Sequence, residues 1–385
     1  MLHSTLLKLS AMSRFKRSLN VTVVMLIAGL VLSGCSREDD VKTRHFRMGF
    51  TPIPYKISLP AAEYAYSKLA TEADIVNHHF GSGGVPWREA LSGEAFSGNI
   101  TADWNFRKSK AYPGQKIYVA VTPLNNSHIG LAAYRGGDDN MPLPAPWNTY
   151  SFKDEPVKEA YLNYCKRVIE FFHPDYFAMS IQTNLLYLFQ PELWTEYLKF
   201  HEYIYRQLKV LYPDLPVFST VAGGPMLNGF IEGNDYVQQR LAVMQLLTLS
   251  DYYALSFYPH QTVVGESLPQ DNLFDELFSI SPKPLVVAET GCTAQHFSVD
   301  LGTGFSTFES NPLNQQKFVD DLLTASEKWK AGFVIWFTLR DYDKLIARVG
   351  NHATAWRDAG LYDENGEPRP ALNAWRTWLK KKVAD

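Results

Sequence analysis

A single (β/α)8 barrel is the fold class the sequence predicts, and three observations carry the expectation. Strand-like and helix-like stretches alternate eight times between Phe46 and the C-terminus. Several of the strand-like stretches are apolar almost throughout, as strands covered on both faces are. No Gly-x-Gly-x-x-Gly follows the first of them, which argues against a dinucleotide-binding sheet. Such alternation implies βαβ units on a parallel sheet. Eight units over about 340 residues match a closed barrel with long loops.

The elements run in order. Phe46 to Pro54 reads as the first strand and Ala61 to Ala73 as a helix. Asp74 to Phe80 is the second strand, and Pro86 opens the next helix from a position that suits proline. Lys116 to Leu124 is the third strand, followed by a helix over Pro156 to Phe172 with apolar residues near helical spacing. Asp175 to Leu186 is the fourth strand and Pro191 to Leu211 its helix. Pro216 to Ala222, then Tyr236 to Leu249, form the fifth pair; Asp251 to Tyr258, with a short helix near Leu273 to Phe278, form the sixth. Pro284 to Thr290 and Gln315 to Lys330 form the seventh, and Ala331 to Leu339 with Ala371 to Lys381 closes the chain. No internal repeat or linker divides it.

Composition bounds the function classes. With 385 residues, 46% hydrophobic and 20% charged, the chain is an ordinary globular protein, which excludes disorder, a coiled coil and a collagen-like fibre. Net charge is -3 and no basic stripe follows the N-terminus, so nucleic acid is not an expected partner. Aromatics reach 14%, a share that suits stacking on planar or sugar ligands as well as an aromatic core. Three cysteines cannot build a disulfide scaffold, and Cys165 and Cys292 stand far apart in the barrel order.

The first 34 residues read as an address. Arg14, Lys16 and Arg17 precede an apolar run from Val21 to Leu32, too short for a permanent span and suited to a secretory signal. Leu32-Ser33-Gly34-Cys35 resembles the lipobox of bacterial lipoproteins. The resemblance implies that Cys35 is lipidated after cleavage. Acyl chains would then hold the protein on a membrane, each buried CH₂ adding about 0.8 kcal/mol. Ser36 at the next position implies outer-membrane sorting, on its periplasmic or surface face. The expected organisation is a signal peptide over 1–34, a lipid-anchored tether over 35–45 and the barrel over 46–385. Cleavage removes Lys8, Arg14, Lys16 and Arg17 and takes the net charge from -3 to -7.

In such a barrel, chemistry belongs at the C-terminal ends of the strands. The seventh strand, Leu285 to Gly291, carries Glu289 near its end, where a carboxylate is costly unless paired or functional. The sixth ends in Tyr258-Pro259-His260, and the eighth places Trp336 near the mouth. These three resemble the retaining glycoside hydrolase clan built on (β/α)8 barrels, its endo-β-1,4-galactanase-like and uncharacterised lipoprotein branches above all. The resemblance covers the mature chain in strand order. It implies Glu289 as nucleophile, Tyr258 as its hydrogen-bonding partner and Trp336 as a sugar platform.

The fourth strand departs from that clan. Its general acid/base is a Glu in Asn-Glu-x-Asn, whereas here Ile181-Gln182-Thr183-Asn184 stands at that place. Gln182 is nearly isosteric with Glu but transfers no proton, and no Glu or Asp lies between Asp175 and Glu192. Retaining glycosidases need two carboxyls about 5–5.5 Å apart. Three readings follow. Another acid is recruited, from Glu232, Glu266, Glu309 or Asp341. Alternatively, substrates carry leaving groups that need no acid, as in plant myrosinases, which resemble this chain in having Gln there. Or the barrel is a glycan-binding protein that has lost catalysis. Gln182 and Asn184 are expected to bind substrate hydroxyls, as are Asn125, His78 and His79. No metal or cofactor is expected, since His78 and His79 lack a third ligand at metal spacing, and Gly81-Ser82-Gly83-Gly84 lacks the Lys of a phosphate loop. A Schiff-base barrel enzyme is disfavoured because Lys116 begins its strand. The expected partners are carbohydrate and a membrane, and the expected state is a monomer.

Overall fold

The computed structural model describes residues 43–259, 272–300, 305–345 and 356–384; the leader and Cys35 lie outside them. Eight parallel strands close into the barrel: β2 (Arg47–Phe50), β3 (Ile75–Phe80), β4 (Lys116–Val121), β5 (Tyr176–Ser180), β6 (Val217–Ala222), β7 (Tyr253–Phe257), β8 (Leu285–Thr290) and β11 (Phe333–Trp336), with β11 pairing back onto β2. The helices between them are α1 (Leu59–Glu72), α2 (Trp87–Ser92), α3 (Gly98–Ser109), α4 (Glu155–Phe172), α5 (Asn184–Phe189), α6 (Trp194–Leu211), α7 (Tyr236–Leu247), α8 (Leu273–Phe278), α9 (Pro312–Lys328) and α10 (Pro370–Leu379). Each expected strand and helix is present. Not foreseen were α3, the antiparallel pair β9 (Phe297–Asp300) and β10 (Phe305–Phe308), and α5.

Local chemistry sets the boundaries. Ser58 caps α1 by accepting from the Ala61 N–H, and Asp235 and Asn311 cap α7 and α9 in the same way. In α4 the buried residues Val157, Tyr161, Tyr164, Val168 and Phe172 recur at helical spacing and form one apolar face. The fourth barrel strand stops at Ser180 rather than running to Leu186. The pairing of β5 with β6 shifts register after Ala178, and Gln182 adopts a left-handed φ of 48°, which turns the chain into α5.

The barrel interior is filled at its floor by aromatic rings. Tyr118 lies 5.0 Å from Phe333 and 5.8 Å from Phe218; Phe333 also meets Tyr176 at 4.9 Å, and Tyr252 meets Phe218 at 5.6 Å. Small and branched residues sit among and above them, including Ala120, Ala254, Val286 and Ala288. A second, larger core lies between strands and helices.

The folded body begins before Phe46. Thr43 and Arg44, expected in the tether, form β1 and pair in parallel with β12 (Lys382–Val383). Arg44 is 1% exposed; its Nε donates to the carbonyls of Trp378 and Lys381 at 3.1 Å, and its Nη2 lies 2.7 Å from Asp74. It thereby satisfies the C-terminal carbonyls of α10, which a helix cannot satisfy itself. Replacing it leaves these carbonyls unsatisfied and removes the ion pair from Asp74, which keeps the Met48 N–H at 2.9 Å. Arg44→Ala is expected to cost about 3–5 kcal/mol, a fall of roughly 5–10 °C in melting temperature. Thermal melts followed by circular dichroism check this, and an unshifted melt contradicts it.

Candidate active site

Above the aromatic floor the inward positions become polar. Asn77 on β3 donates to the Thr51 hydroxyl at 3.0 Å. Across the mouth, Thr220 on β6 accepts from the Gln182 backbone N–H at 2.8 Å and lies 3.4 Å from the Ser256 hydroxyl. Ser256 stands opposite Glu289 in the β7–β8 pairing. Strict alternation from Val286 would aim Glu289 at the helices. A register shift after Leu255 moves it to the inner side instead.

Glu289 is 8% exposed. The Tyr258 hydroxyl hydrogen-bonds its carboxylate; burial first, then the Glu289 charge and that hydrogen bond, hold the phenol well above its usual range. Burial and the same carboxylate also raise Tyr118, on the opposite wall. Gly291 makes the arrangement possible, because a Cβ there would lie 2.3 Å from the Phe337 carbonyl oxygen and 3.3 Å from the Tyr258 ring. Phe337 and Trp356 meet the Tyr258 ring edge-on at 6.3 and 6.0 Å, and Tyr342 packs on Phe337 at 6.1 Å. The site is thus a carboxylate held by a phenol inside an aromatic rim.

Several expected site residues stand elsewhere. Trp336 is fully buried on the outer side of β11, where it packs against Phe318 of α9 and donates to the Ala359 carbonyl at 2.9 Å. Its neighbour Phe337 occupies the mouth. His78 points outward as well, its ring 5.0 Å from Phe172 with Nδ1 3.5 Å from the Tyr66 hydroxyl, and burial pushes it down to about 3. His79, on the opposite side of the strand, is half-buried and lines a polar cavity with Asp103, Arg107 and Arg135. Asn184 is fully buried. It accepts from the Ala222 N–H at 2.7 Å and donates to the Ala222 carbonyl at 3.0 Å, a bracket between β6 and α5 rather than a surface for substrate. Gln182 remains at the mouth, half-buried, and Asn125 lines a separate cavity beyond β4.

Sequence reading passed over Phe337, Trp356, Thr220 and His128. Strand parity was the available signal for Phe337, which follows inward Phe333 and Ile335 at intervals of two. His128 follows β4 and bonds the Ile181 carbonyl beside Gln182; burial lowers its pKa although that bond and one to Asn126 oppose the shift. The alternative acids stand apart. Glu232 is exposed; Glu309 is exposed and pairs with His296 at 2.9 Å; Glu266 lies outside the described residues. Burial pushes Asp341 up to about 7 against the pull of Arg369, which would leave a proton available near neutrality, but the residue is 1% exposed. Asp341, Asp343 and Asp358 bring ligand atoms within 4.8 Å of one another. Arg369 and Arg357 stand 2.7 and 2.8 Å from Asp341 and Asp358, so two guanidinium groups already supply the counter-charge. Cys165 and Cys292 are buried free thiols.

No family model and no curated protein matches the sequence. Solved structures match the fold. An exo-β-1,4-mannosidase of Opitutaceae bacterium strain TAV5 aligns over 88% of this chain with 11% identity and a TM-score of 0.60. The alignment spans only 60% of the mannosidase. A GH5_18 protein of Bifidobacterium longum in complex with Manβ1-4GlcNAc aligns over 87% of this chain and 78% of its own, with 13% identity and a TM-score of 0.62. The GH53 catalytic domain of Ignisphaera aggregans aligns over 82% of this chain and 87% of its own, with 16% identity and a TM-score of 0.54. The barrel is therefore of the kind that glycoside hydrolases use.

The outward histidine has a measurable consequence. His78 and His201, both buried, are lowered to about 3 and about 4, chiefly by burial, while the unfolded chain protonates histidine near 6.5. Below about pH 6.5 the unfolded state therefore binds protons that the folded state refuses. Stability is full above that pH, and each histidine removes about 1.4 kcal/mol per unit as the pH falls towards about 4. His78→Leu should remove one histidine's share of this slope in urea unfolding. An unchanged slope would place the ring in water.

Proposed function

We propose that the chain is a retaining glycosidase acting on oligo- or polysaccharide, with Glu289 as nucleophile. The observation that carries the reading is the Tyr258–Glu289 hydrogen bond at the C-terminal end of the seventh barrel strand, inside an aromatic rim. The Glu289 carboxylate attacks the anomeric carbon as the bond to the departing oxygen breaks. Water then displaces Glu289, giving two inversions and net retention. Tyr258 orients the carboxylate, and Phe337 with Trp356 offers the apolar face that a sugar ring stacks on. Glu289 is positioned by the strand and by Tyr258 together, so the attack needs little reorganisation.

Gln182 defines the substrate range. No proton reaches the leaving oxygen from this side chain, so a sugar aglycone leaves slowly and an aglycone that forms a stable anion leaves fast. A carboxyl here would add on the order of 10²–10⁴-fold for poor leaving groups. A second reading, favoured by the same Gln182, is a glycan-binding protein without turnover. The first reading is preferred because the carboxylate and its phenol are kept in register. The proposal includes a lipid on Cys35, on the lipobox-like Leu32-Ser33-Gly34-Cys35, and thus a place on the bacterial envelope.

Two measurements test the proposal. Soluble protein from Ser36 onward is incubated with 2-deoxy-2-fluoro glycosides bearing dinitrophenyl leaving groups. Manno probes come first, because two structural neighbours are described with β1,4-linked mannose. Galacto probes stand beside them, as the galactanase-like branch suggests. A stable adduct mapped to Glu289 is expected, absent in Glu289→Gln. Sugar binding with no adduct from any probe supports the binding protein instead. Gln182→Glu is expected to raise kcat/KM for poor leaving groups by on the order of 10²-fold and to leave dinitrophenyl substrates nearly unchanged. An equal rise for both would mean that residue 182 supplies no proton.

A further inference from the structure

A cavity of about 240 Å³ lies beyond β3 and β4, outside the Glu289 cluster, and is lined by Thr122, Leu124, Asn125, Ser127 and Asn140 among others. Three of its polar side chains, Asn125, Asn140 and Thr122, share one feature. The Asn125 Oδ1 accepts from the Ile129 N–H at 3.0 Å, and the Asn140 Oδ1 accepts from the Gly83 N–H at 3.2 Å. The Thr122 Oγ1 accepts from the Leu124 N–H at 3.2 Å. In each case the loop occupies an acceptor, which fixes the side chain and leaves its donor for a guest. Gly84, at φ 93°, lets the loop close this tightly, since a Cβ there would meet the Ala133 carbonyl oxygen at 2.3 Å.

Among the described residues no ionised side chain lines the cavity, while Phe80, Leu124 and Ala132 supply apolar wall. Neutral fixed donors beside apolar wall select an uncharged ligand that is rich in acceptor oxygens and has a C–H face. The volume equals about eight waters at about 30 Å³ each, room for a single ring. Thr122 follows β4 at the end of the barrel where Glu289 stands, so both sites open on one face.

We infer that this cavity is a subsite for one uncharged pyranose unit of the substrate, held by the amide N–H groups of Asn125 and Asn140. The inference rests on the glycosidase reading and narrows its substrate to a neutral saccharide longer than one residue. Neither amide has a protein partner for its nitrogen among the described residues, and with Asn125 half-buried and Asn140 exposed both N–H groups are open to a guest that displaces water.

Asn→Asp at either position tests the inference, because Asp keeps the oxygen that fixes the loop and removes the free donor. β1,4-Mannobiose, β1,4-galactobiose and galacturonate are titrated by calorimetry into Glu289→Gln protein, alone and with Asn125→Asp or Asn140→Asp. The parent is expected to bind at least one neutral disaccharide and to prefer it to galacturonate. Each Asp variant should weaken that binding tenfold or more with an unshifted melt. Equal binding by parent and Asp variants overturns the subsite, and so does a preference for galacturonate or no neutral sugar bound at all. Failure to label Glu289 with donor-dependent binding intact overturns the hydrolase reading and leaves the subsite standing.

Discussion

The aromatic floor of the barrel is the constraint on which the mouth depends. Tyr118, Tyr176, Phe218, Tyr252 and Phe333 pack ring against ring in the lower interior. A closed parallel barrel must fill its interior or collapse, and eight strands leave just enough room for side chains. With the floor full, the inward residues further along each strand are polar, buried and bonded to one another. Thr51, Asn77, Thr220, Ser256 and Glu289 occupy those positions. Glu289 is therefore held between the aromatic floor and the rim, with 8% of its surface exposed.

Two register shifts tune this layer. After Ala178 the β5–β6 pairing slips, so that Ser180 turns outward to Tyr197 while Ile181 faces the axis. After Leu255 the β7–β8 pairing slips and brings Glu289 inward. A bulge is a small defect in hydrogen bonding that re-aims one side chain. Here both bulges lie beside the residues with the strongest chemical interest.

Much of the fold was legible in the sequence because long apolar runs separated by capped helices leave few alternatives. All eight barrel strands and the major helices fall where the pattern puts them. The mouth was legible less evenly. Glu289 and Tyr258 were found because a carboxylate and a phenol at strand ends are unusual in themselves. Trp336 and Phe337 are adjacent aromatics, as His78 and His79 are adjacent imidazoles, and adjacent strand residues face opposite ways. Composition cannot choose between such neighbours; only the parity of the whole strand does. Asn184 was misplaced because a left-handed Gln182 ends the strand early, a backbone event with no composition signal. Arg44 went unread as part of the body because its partners lie more than 330 residues away.

That arginine also marks where the two ends of the folded body meet. β1 precedes the first barrel strand by two residues and pairs with β12 at the other end of the chain. Thr43 and Val383, at the two ends of the described body, are thus tied together at the floor, opposite the mouth. The same geometry makes the protein a candidate for circular permutation: a short linker from Val383 to Thr43 would cross almost no distance, and new ends could be opened in an exposed loop.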